Sequence, residues 1–207
     1  MGLVLVTRLA PQSLIWPYHE QVAGFEVFAS EPISPQLVTV LESAKSRARQ
    51  RGGYGVPDGQ KLFLSHGGWR WNLLALRSRR AFAINLPVID AIVINRSDQR
   101  ANRISVKPFV TGMGGVRTLD GVVTHELTHG FLHARFGLVK TALAPTWLIE
   151  GYCDYVADES TLAAADVSRL RATGQGHPAL VYFDGREKLT RMIEQQNLTI
   201  DDIMARY

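Results

Sequence analysis

A short run, His125-Glu126-Leu127-Thr128-His129, carries more information about fold and chemistry than any other part of this chain. Positions i and i+4 of an α-helix lie on one face, so the two histidines can hold one metal ion if the run is helical. Glu126 lies beside them and could act as a general base. The pattern therefore predicts a zinc site with His125 and His129 as ligands.

The sequence around this motif predicts a helix with the motif in its middle. Thr118 is the candidate N-cap, because a threonine hydroxyl can accept a hydrogen bond from a free amide of the first turn. Gly137 is expected to end the helix, since glycine tolerates the backbone angles found at helix ends. Apolar residues recur between these limits at roughly helical spacing: Val122, Leu127, Phe131, Leu132 and Phe136.

A catalytic zinc site has three protein ligands and one open position, and two residues compete to be the third ligand. His133 continues the series at i+4, but roughly 12 Å of helix rise separates it from His125. Zinc–nitrogen bonds of about 2.0–2.1 Å cannot span that distance. His133 is therefore predicted to be an ordinary, partly exposed helix residue.

Glu150 is the better candidate for the third ligand. Pro145 favours a helix start just after it, and the residues on either side of Glu150 are apolar. The alternative is that Glu150 is a solvated helix acid, which is less common in apolar surroundings. Asp154 follows at i+4 on the same helix face. It is placed to accept the outer N–H of a ligand histidine and so to fix its tautomer.

The second motif is the block Trp147-Leu148-Ile149-Glu150-Gly151-Tyr152-Cys153-Asp154-Tyr155, in which Glu150 follows His129 after 20 intervening residues. This arrangement resembles the gluzincin metallopeptidases, which include thermolysin-like endopeptidases, zinc aminopeptidases and minigluzincins. The block is similar to their W-L-x-E-G-x-A-x-Y pattern, with Cys153 where alanine is usual. The resemblance covers about residues 118–157.

The resemblance implies a zinc-dependent peptidase with three zinc ligands, His125, His129 and Glu150. It also implies that Glu126 is the general base acting on a zinc-activated water, and that Asp154 supports a ligand histidine. In gluzincins a tyrosine or histidine downstream of the glutamate ligand stabilises the oxyanion. His177 and Tyr182 are the candidates for that role, and Tyr182 is favoured because its helix could pack back against the motif.

The resemblance also bears on the type of peptidase. The aminopeptidase branch carries a Gly-x-Met-Glu-Asn signature, whose glutamate holds the free amine of the substrate. The stretch Gly112-Met113-Gly114-Gly115 lacks that glutamate and lies too close to His125. An endopeptidase acting on a peptide or protein substrate is therefore predicted.

The order of predicted elements favours one α+β domain. Strands are predicted at 25–29, 61–65, 81–86, 91–95 and 103–109, and helices at 34–51, 69–76, 161–172, 179–195 and 200–205, besides the two motif helices. This order suits a zincin-like fold with a small twisted sheet over the HExxH helix and an all-helical C-terminal half. Residues 1–24 are predicted to be an N-terminal extended arm. Residues 25–207 are predicted to form a single domain, with a sheet-containing lobe at 25–117 and a helical lobe at 118–207.

The substrate cleft is expected between the two lobes. A peptide can bind there by adding to an edge strand through main-chain hydrogen bonds. Residues 103–109 are predicted to be that edge, because they form the nearest strand upstream of the motif. The loop at 111–115 is then expected to border the site.

Charge is unevenly distributed along the chain. Residues 1–117 carry 15 Lys and Arg against 7 Asp and Glu, whereas residues 118–207 carry 8 against 12. The basic half predicts a weak contact with an anionic surface. No specific nucleic-acid partner is predicted, because the basic clusters lack interleaved aromatic residues.

Other features of the sequence bear on compartment. The single cysteine excludes an internal disulfide. No stretch approaches the roughly 18 apolar residues that span a bilayer, and the first residues do not resemble a signal peptide. These features favour the cytoplasm.

Two other functions remain open at this stage. The chain could be a zinc-binding pseudoenzyme or interaction module with the same fold, although a structural zinc site usually has four protein ligands. It could also be a basic protein that binds nucleic acid or a membrane surface and contains the motif by chance. A peptidase binds zinc and hydrolyses peptides, whereas the pseudoenzyme binds zinc without hydrolysis and the basic binding protein does neither.

Overall fold

The computed structural model describes residues 7–207, and its larger sheet has five strands. They are β1 (Tyr18–Val22), β2 (Phe25–Ala29), β3 (Gln60–Leu64), β4 (Ala83–Leu86) and β5 (Ala91–Ile94). Their order across the sheet is β1-β2-β3-β5-β4. The two inner pairings are parallel and the two outer pairings are antiparallel. Strand β4 therefore lies at one edge.

A second, three-stranded antiparallel sheet follows. It consists of β6 (Ser97–Asp98), β7 (Arg103–Ser105) and β8 (Val116–Thr118). The prediction that residues 103–109 form the edge of the main sheet is wrong, since β7 ends at Ser105 and lies in the centre of this small sheet. A strand ladder could not have continued through Pro108 in any case, because proline has no N–H to donate.

Helices make up most of the remaining structure. They are α1 (Leu37–Gly52), α2 (Gly68–Ala75), α3 (Leu119–Phe136), α4 (Leu138–Leu143), α5 (Thr146–Ala157), α6 (Ala164–Thr173), α7 (Leu180–Thr190) and α8 (Ile200–Met204). The helix predicted from residue 34 begins three residues later, because the amide of Leu37 closes a turn with the carbonyl of Ser34. The helix predicted over 179–195 is α-helical only to Thr190 and continues as a π-helical turn, Arg191–Gln195.

The large sheet is covered on both faces. Val27, Leu62 and Ile92 are cross-strand partners in one row and pack with α1 and the first half of α3. The next row, which includes Phe63, points to the opposite face and packs around Trp71 of α2. This alternation follows from the two-residue period of a strand. As a result, the N-terminal half of α3 is held against the sheet.

The motif helix α3 begins and ends where the sequence predicts. The Thr118 hydroxyl accepts a hydrogen bond from the amide of Gly121 at 3.1 Å, which confirms the N-cap. Gly137 terminates the helix with φ of +80°, a conformation that disfavours a side chain. The HExxH motif lies in the middle of this helix.

The second half of α3 packs in a different core, made of helices. Leu132 contacts a cluster that includes Leu148 of α5, Leu189 of α7 and Ile203 of α8. The helix α3 thus has one half under the sheet and the other half among helices. No helix within residues 7–207 has both the length and the apolar composition needed to cross a bilayer.

The predicted N-terminal arm is partly described. Residues 1–6 lie outside the described residues. Tyr18–Val22 forms strand β1, which pairs with β2 through a tight turn at Ala23 and Gly24, where φ is +51° and +83°. Residues 18–22 are therefore a strand of the main sheet.

Asp120, in the first turn of α3, forms hydrogen bonds with residues of other parts of the fold. It is 3 % exposed and accepts hydrogen bonds from the Ser43 hydroxyl at 2.7 Å, Arg47 Nη2 at 2.8 Å and Asn102 Nδ2 at 3.0 Å. Burial raises the pKa of Asp120, but the hydrogen bonds, led by that from Ser43, and the charge of Arg47 outweigh it, and the pKa lies below its ordinary value. Arg47 Nη1 also donates to the carbonyl of Ala157, at the end of α5, at 2.6 Å.

Replacing Asp120 with asparagine is expected to destabilise the fold. Asp120→Asn removes the charge that Arg47 faces, and the cost should be about 2 kcal/mol at neutral pH. A carboxyl whose pKa is lower in the folded state contributes stability above its unfolded pKa of about 3.9 and loses it as pH falls. Urea unfolding of both proteins should therefore show a difference at pH 7 that shrinks below about pH 4. A difference that is the same at both pH values would contradict the assignment.

Candidate active site and metal centre

Three side chains from two helices converge at one point. Glu150 Oε2 lies 3.2 Å from His125 Nε2 and 3.7 Å from His129 Nε2. The two imidazole rings are 5.0 Å apart and inclined at 70°. Donor atoms of a tetrahedral zinc site with bonds of about 2.0–2.1 Å lie roughly 3.3 Å apart. The two nitrogen–oxygen distances are therefore close to the spacing of donor atoms that share one metal ion.

The position of Glu150 depends on a close crossing of α5 and α7. A Cβ on Gly151 would lie 2.5 Å from the carbonyl carbon of Gly185, and a Cβ on Gly185 would lie 2.1 Å from the carbonyl oxygen of Trp147. Only glycine permits this approach. The crossing brings Glu150 and Tyr182, which lie near these glycines in sequence, to the same side of the molecule.

His125 is oriented by its other ring nitrogen. Nδ1 lies 2.8 Å from Asp154 Oδ1, so it donates there and leaves Nε2 facing Glu150. Asp154 also accepts from the Ser160 hydroxyl at 2.8 Å and pairs with Arg117 Nη1 at 3.2 Å. This arrangement places Asp154 where the sequence predicts support for a ligand histidine.

Arg117 is the site residue that sequence reasoning missed. It is 5 % exposed and lies between Asp154 and Glu159, whose Oε2 is 3.5 Å from Arg117 Nε. Glu159 in turn accepts from the amide and the hydroxyl of Thr118. The one available signal was adjacency to the N-cap, which does not distinguish Arg117 from the other basic residues of the N-terminal half.

The charges in the site are strongly coupled. Burial lowers the pKa of His125, but hydrogen bonds to Asp154 and Glu150 outweigh burial and raise that pKa to about 10. Burial likewise raises the pKa of Glu150, yet hydrogen bonds from His125 and His129 hold it well below its ordinary value. Asp154 stays ionised because the charge of Arg117 outweighs burial and lowers its pKa. The carboxylates of Asp154 and Glu150 thus favour a positive charge on the imidazole of His125.

Glu126 differs from the other acids of the site. Burial raises its pKa, and the neighbouring His129 and His125 only partly offset the increase. Its carboxylate forms no hydrogen bond with any residue from 7 to 207, although the side chain lines the cleft. Glu126 therefore has a carboxylate that is free to exchange a proton in the cleft.

Cys153 offers a second possible ligand set. Ligand atoms of His125, His129 and Cys153 all lie within 4.8 Å of one another. Cys153 is fully buried, and burial raises the pKa of its thiol well above the ordinary value. Glu150 has an oxygen 3.2 Å and 3.7 Å from the two imidazole nitrogens and lines the cleft, whereas Cys153 is not among the residues that line it. The structure therefore offers Glu150 and Cys153 as two alternative third donors beside His125 and His129.

The site opens into a cavity of about 530 Å³. Its walls come from strand β4 with the residues before it, the segment 106–109, and the start of α7. Gly115 lines the cavity, whereas Met113 in the same loop is buried against Leu162 and Leu170. Only part of the loop at 111–115 therefore borders the site. His133 is half-buried, lines the cavity and does not reach the convergence point.

Both candidates for an oxyanion donor line this cavity. Burial and the nearby Glu150 raise the pKa of Tyr182 to about 12, so its hydroxyl keeps its proton at neutral pH. That hydroxyl has no hydrogen-bond partner within the described part of the chain. His177 accepts from the amide of Ala179 through Nδ1 at 3.1 Å, and its Nε2 is buried without a partner among residues 7–207.

Comparison with known proteins connects this site to peptidases. Residues 87–183 match the model of a family described as "Peptidase of plants and bacteria". The matched stretch begins directly after β4 and contains the site residues from Arg117 to Tyr182. The chain is therefore similar to a peptidase family over its candidate site. No curated protein and no solved structure matches this chain.

Proposed function

We propose that this protein is a zinc-dependent peptidase with a zincin-like fold and a gluzincin-type site. The observation that carries the proposal is the convergence of His125, His129 and Glu150 beside the free carboxylate of Glu126. The similarity to a peptidase family over the same residues supports it. Three donors of this kind would suit zinc, and all three line the cleft.

The residues of the chain then have distinct roles. When bound, zinc supplies a Lewis acid that polarises a carbonyl and lowers the pKa of water. Glu126 accepts a proton from the attacking water and delivers it to the leaving amine, and its raised pKa suits both steps. Asp154, held by Arg117, keeps His125 in the tautomer that presents Nε2. The Tyr182 hydroxyl is the proposed donor to the oxyanion.

The substrate is proposed to bind along β4. Within the described residues, β4 pairs on one side with β5 and has its other side free. Ala83, Ile84 and Asn85 of this strand line the cavity. An extended peptide can therefore add to this edge through main-chain hydrogen bonds.

The acids in the cleft favour an endopeptidase. Among the described residues that line the cavity, the acidic ones are Glu126 and Glu150. Both already have roles in proton transfer and in metal binding. No further carboxylate lines the described cavity to hold the free amine of a substrate, so cleavage within a chain is the proposed reaction.

A peptide digest combined with metal analysis tests this function. The purified protein should contain close to one zinc per chain and cleave internal bonds of a mixed peptide library. A chelator should abolish cleavage, and added zinc should restore it. Bound zinc without cleavage of any peptide would contradict the proposal and favour a zinc-binding pseudoenzyme or interaction module.

A further inference from the structure

Two basic side chains line the cleft and have no acidic partner. Arg80 and Lys107 are exposed and belong to the walls of the cavity that contains Glu126 and Glu150. Neither side chain forms an ion pair or hydrogen bond with any residue from 7 to 207. Arg117 also lines the cavity, but it is buried and paired with acids. The charges of Arg80 and Lys107 are therefore available to a ligand.

The backbone that carries Arg80 is anchored on both sides. The Trp71 indole N–H donates to the carbonyl of Arg79 at 2.9 Å, and Asn95 Nδ2 donates to the carbonyl of Ala81 at the same distance. The amide of Ala81 in addition closes a turn with Ser78. Arg80 consequently extends from a fixed point just before the edge strand β4.

The backbone around Lys107 is also held in place. The amide of Val106 donates to the carbonyl of Gly115 at 2.9 Å. Gly115 has φ of +83°, and a Cβ there would lie 3.0 Å from both Pro108 Cβ and the carbonyl oxygen of Val106. The two segments therefore pack tightly at Gly115, where the positive φ also disfavours a side chain, and Lys107 is held at the cleft wall.

The charge balance of the cleft favours an anionic ligand. Of the two acids that line the described cavity, Glu150 contacts both histidines and Glu126 interacts electrostatically with them. Bound zinc would add two positive charges, so Arg80 and Lys107 would face a cleft with excess positive charge. A concave site lined by one sign of charge concentrates ligands of the opposite sign.

We propose that this cleft selects acidic peptides, with Arg80 and Lys107 binding Asp or Glu side chains that flank the cleaved bond. This inference rests on the proposed peptidase function and names its substrate class. The exposed aromatic Phe109 lines the same cavity, has its ring centroid 5.6 Å from that of His177 in an edge-on arrangement, and provides an apolar surface in the cleft.

Matched fluorogenic peptides test this selectivity. Each pair has the same core, flanked either by Glu or by the isosteric, neutral Gln. The zinc-loaded protein should cleave the Glu peptides with kcat/KM about tenfold higher, and the preference should shrink as salt rises. The double variant Arg80→Gln/Lys107→Gln should lose the preference. Peptides with a single Glu before or after the cleaved bond then show which side of that bond Arg80 and Lys107 each bind.

The matched control is Arg79→Gln/Arg103→Gln, which removes the same net charge from two exposed residues outside the cavity wall. It should retain the preference for Glu peptides. Equal cleavage of both peptides by the unmodified protein, or equal loss of preference in the two double variants, overturns the proposal.

Binding separates failure of the inference from failure of the peptidase function. If no peptide is cleaved, fluorescence polarisation with zinc-loaded Glu126→Gln protein measures affinity without turnover. Tighter binding of Glu peptides that disappears in a triple variant with Arg80→Gln and Lys107→Gln supports acidic selectivity in a cleft that is not a peptidase site. Equal binding of Glu and Gln peptides overturns the inference.

Discussion

Glu126→Gln is expected to lower kcat by about 10²–10⁴-fold, the usual contribution of a general acid–base group. Glutamine has the shape of glutamate but cannot take a proton from water or return it to an amine. The Glu126 carboxylate has no hydrogen-bond partner among residues 7–207, so this substitution breaks no contact between described side chains. The loss should therefore appear in turnover and not in folding.

Three measurements together identify this effect. Steady-state kinetics gives kcat, elemental analysis gives the zinc content, and thermal unfolding gives stability. The zinc content and the melting temperature should stay close to those of the unmodified protein. Glu187→Gln, an exposed change of the same chemistry on α7, is the control and should leave all three unchanged. Comparable turnover in Glu126→Gln would refute its role as the base.

Glu150→Gln is expected to weaken zinc binding more than the substitutions Asp154→Asn and Cys153→Ala. It removes a charged oxygen that lies 3.2 Å and 3.7 Å from the two imidazole nitrogens. Loss of a partner that only supports a ligand, as in Asp154→Asn, costs about 10–100-fold in metal affinity. Loss of the ligand charge itself should cost more than that. Cys153→Ala, in contrast, should leave the affinity nearly unchanged.

Competition against a chelator of known affinity ranks the three variants. The expected order of loss is Glu150→Gln first, then Asp154→Asn, with Cys153→Ala close to the unmodified protein. The comparison decides between the two donor sets that share His125 and His129. Strong zinc binding in Glu150→Gln together with its loss in Cys153→Ala would show that sulfur, and not the carboxylate, completes the site.

Local features of the chain were readable from the sequence. The cap at Thr118, the stop at Gly137 and the spacing of His125 and His129 depend on residues within a few turns of one another. Helix periodicity and capping chemistry act over that range, so the position of the motif in mid-helix could be predicted. Glu150 could be proposed as well, because its apolar neighbours argued against a solvated acid.

Tertiary structure decided the features that join distant segments. Strand β4, and not the segment 103–109, forms the sheet edge beside the site. The sequence does not show this, because the order of strands in a sheet depends on pairing between segments that are far apart in the chain. Arg117 reaches Asp154 only after β8 and α5 have packed together. Nothing in the local sequence encodes those distances. Hence the local sequence was enough to predict the HExxH motif and its helix. Packing between remote segments determined which residues form the cleft walls, which charges support the site, and which basic side chains remain unpaired in the cleft.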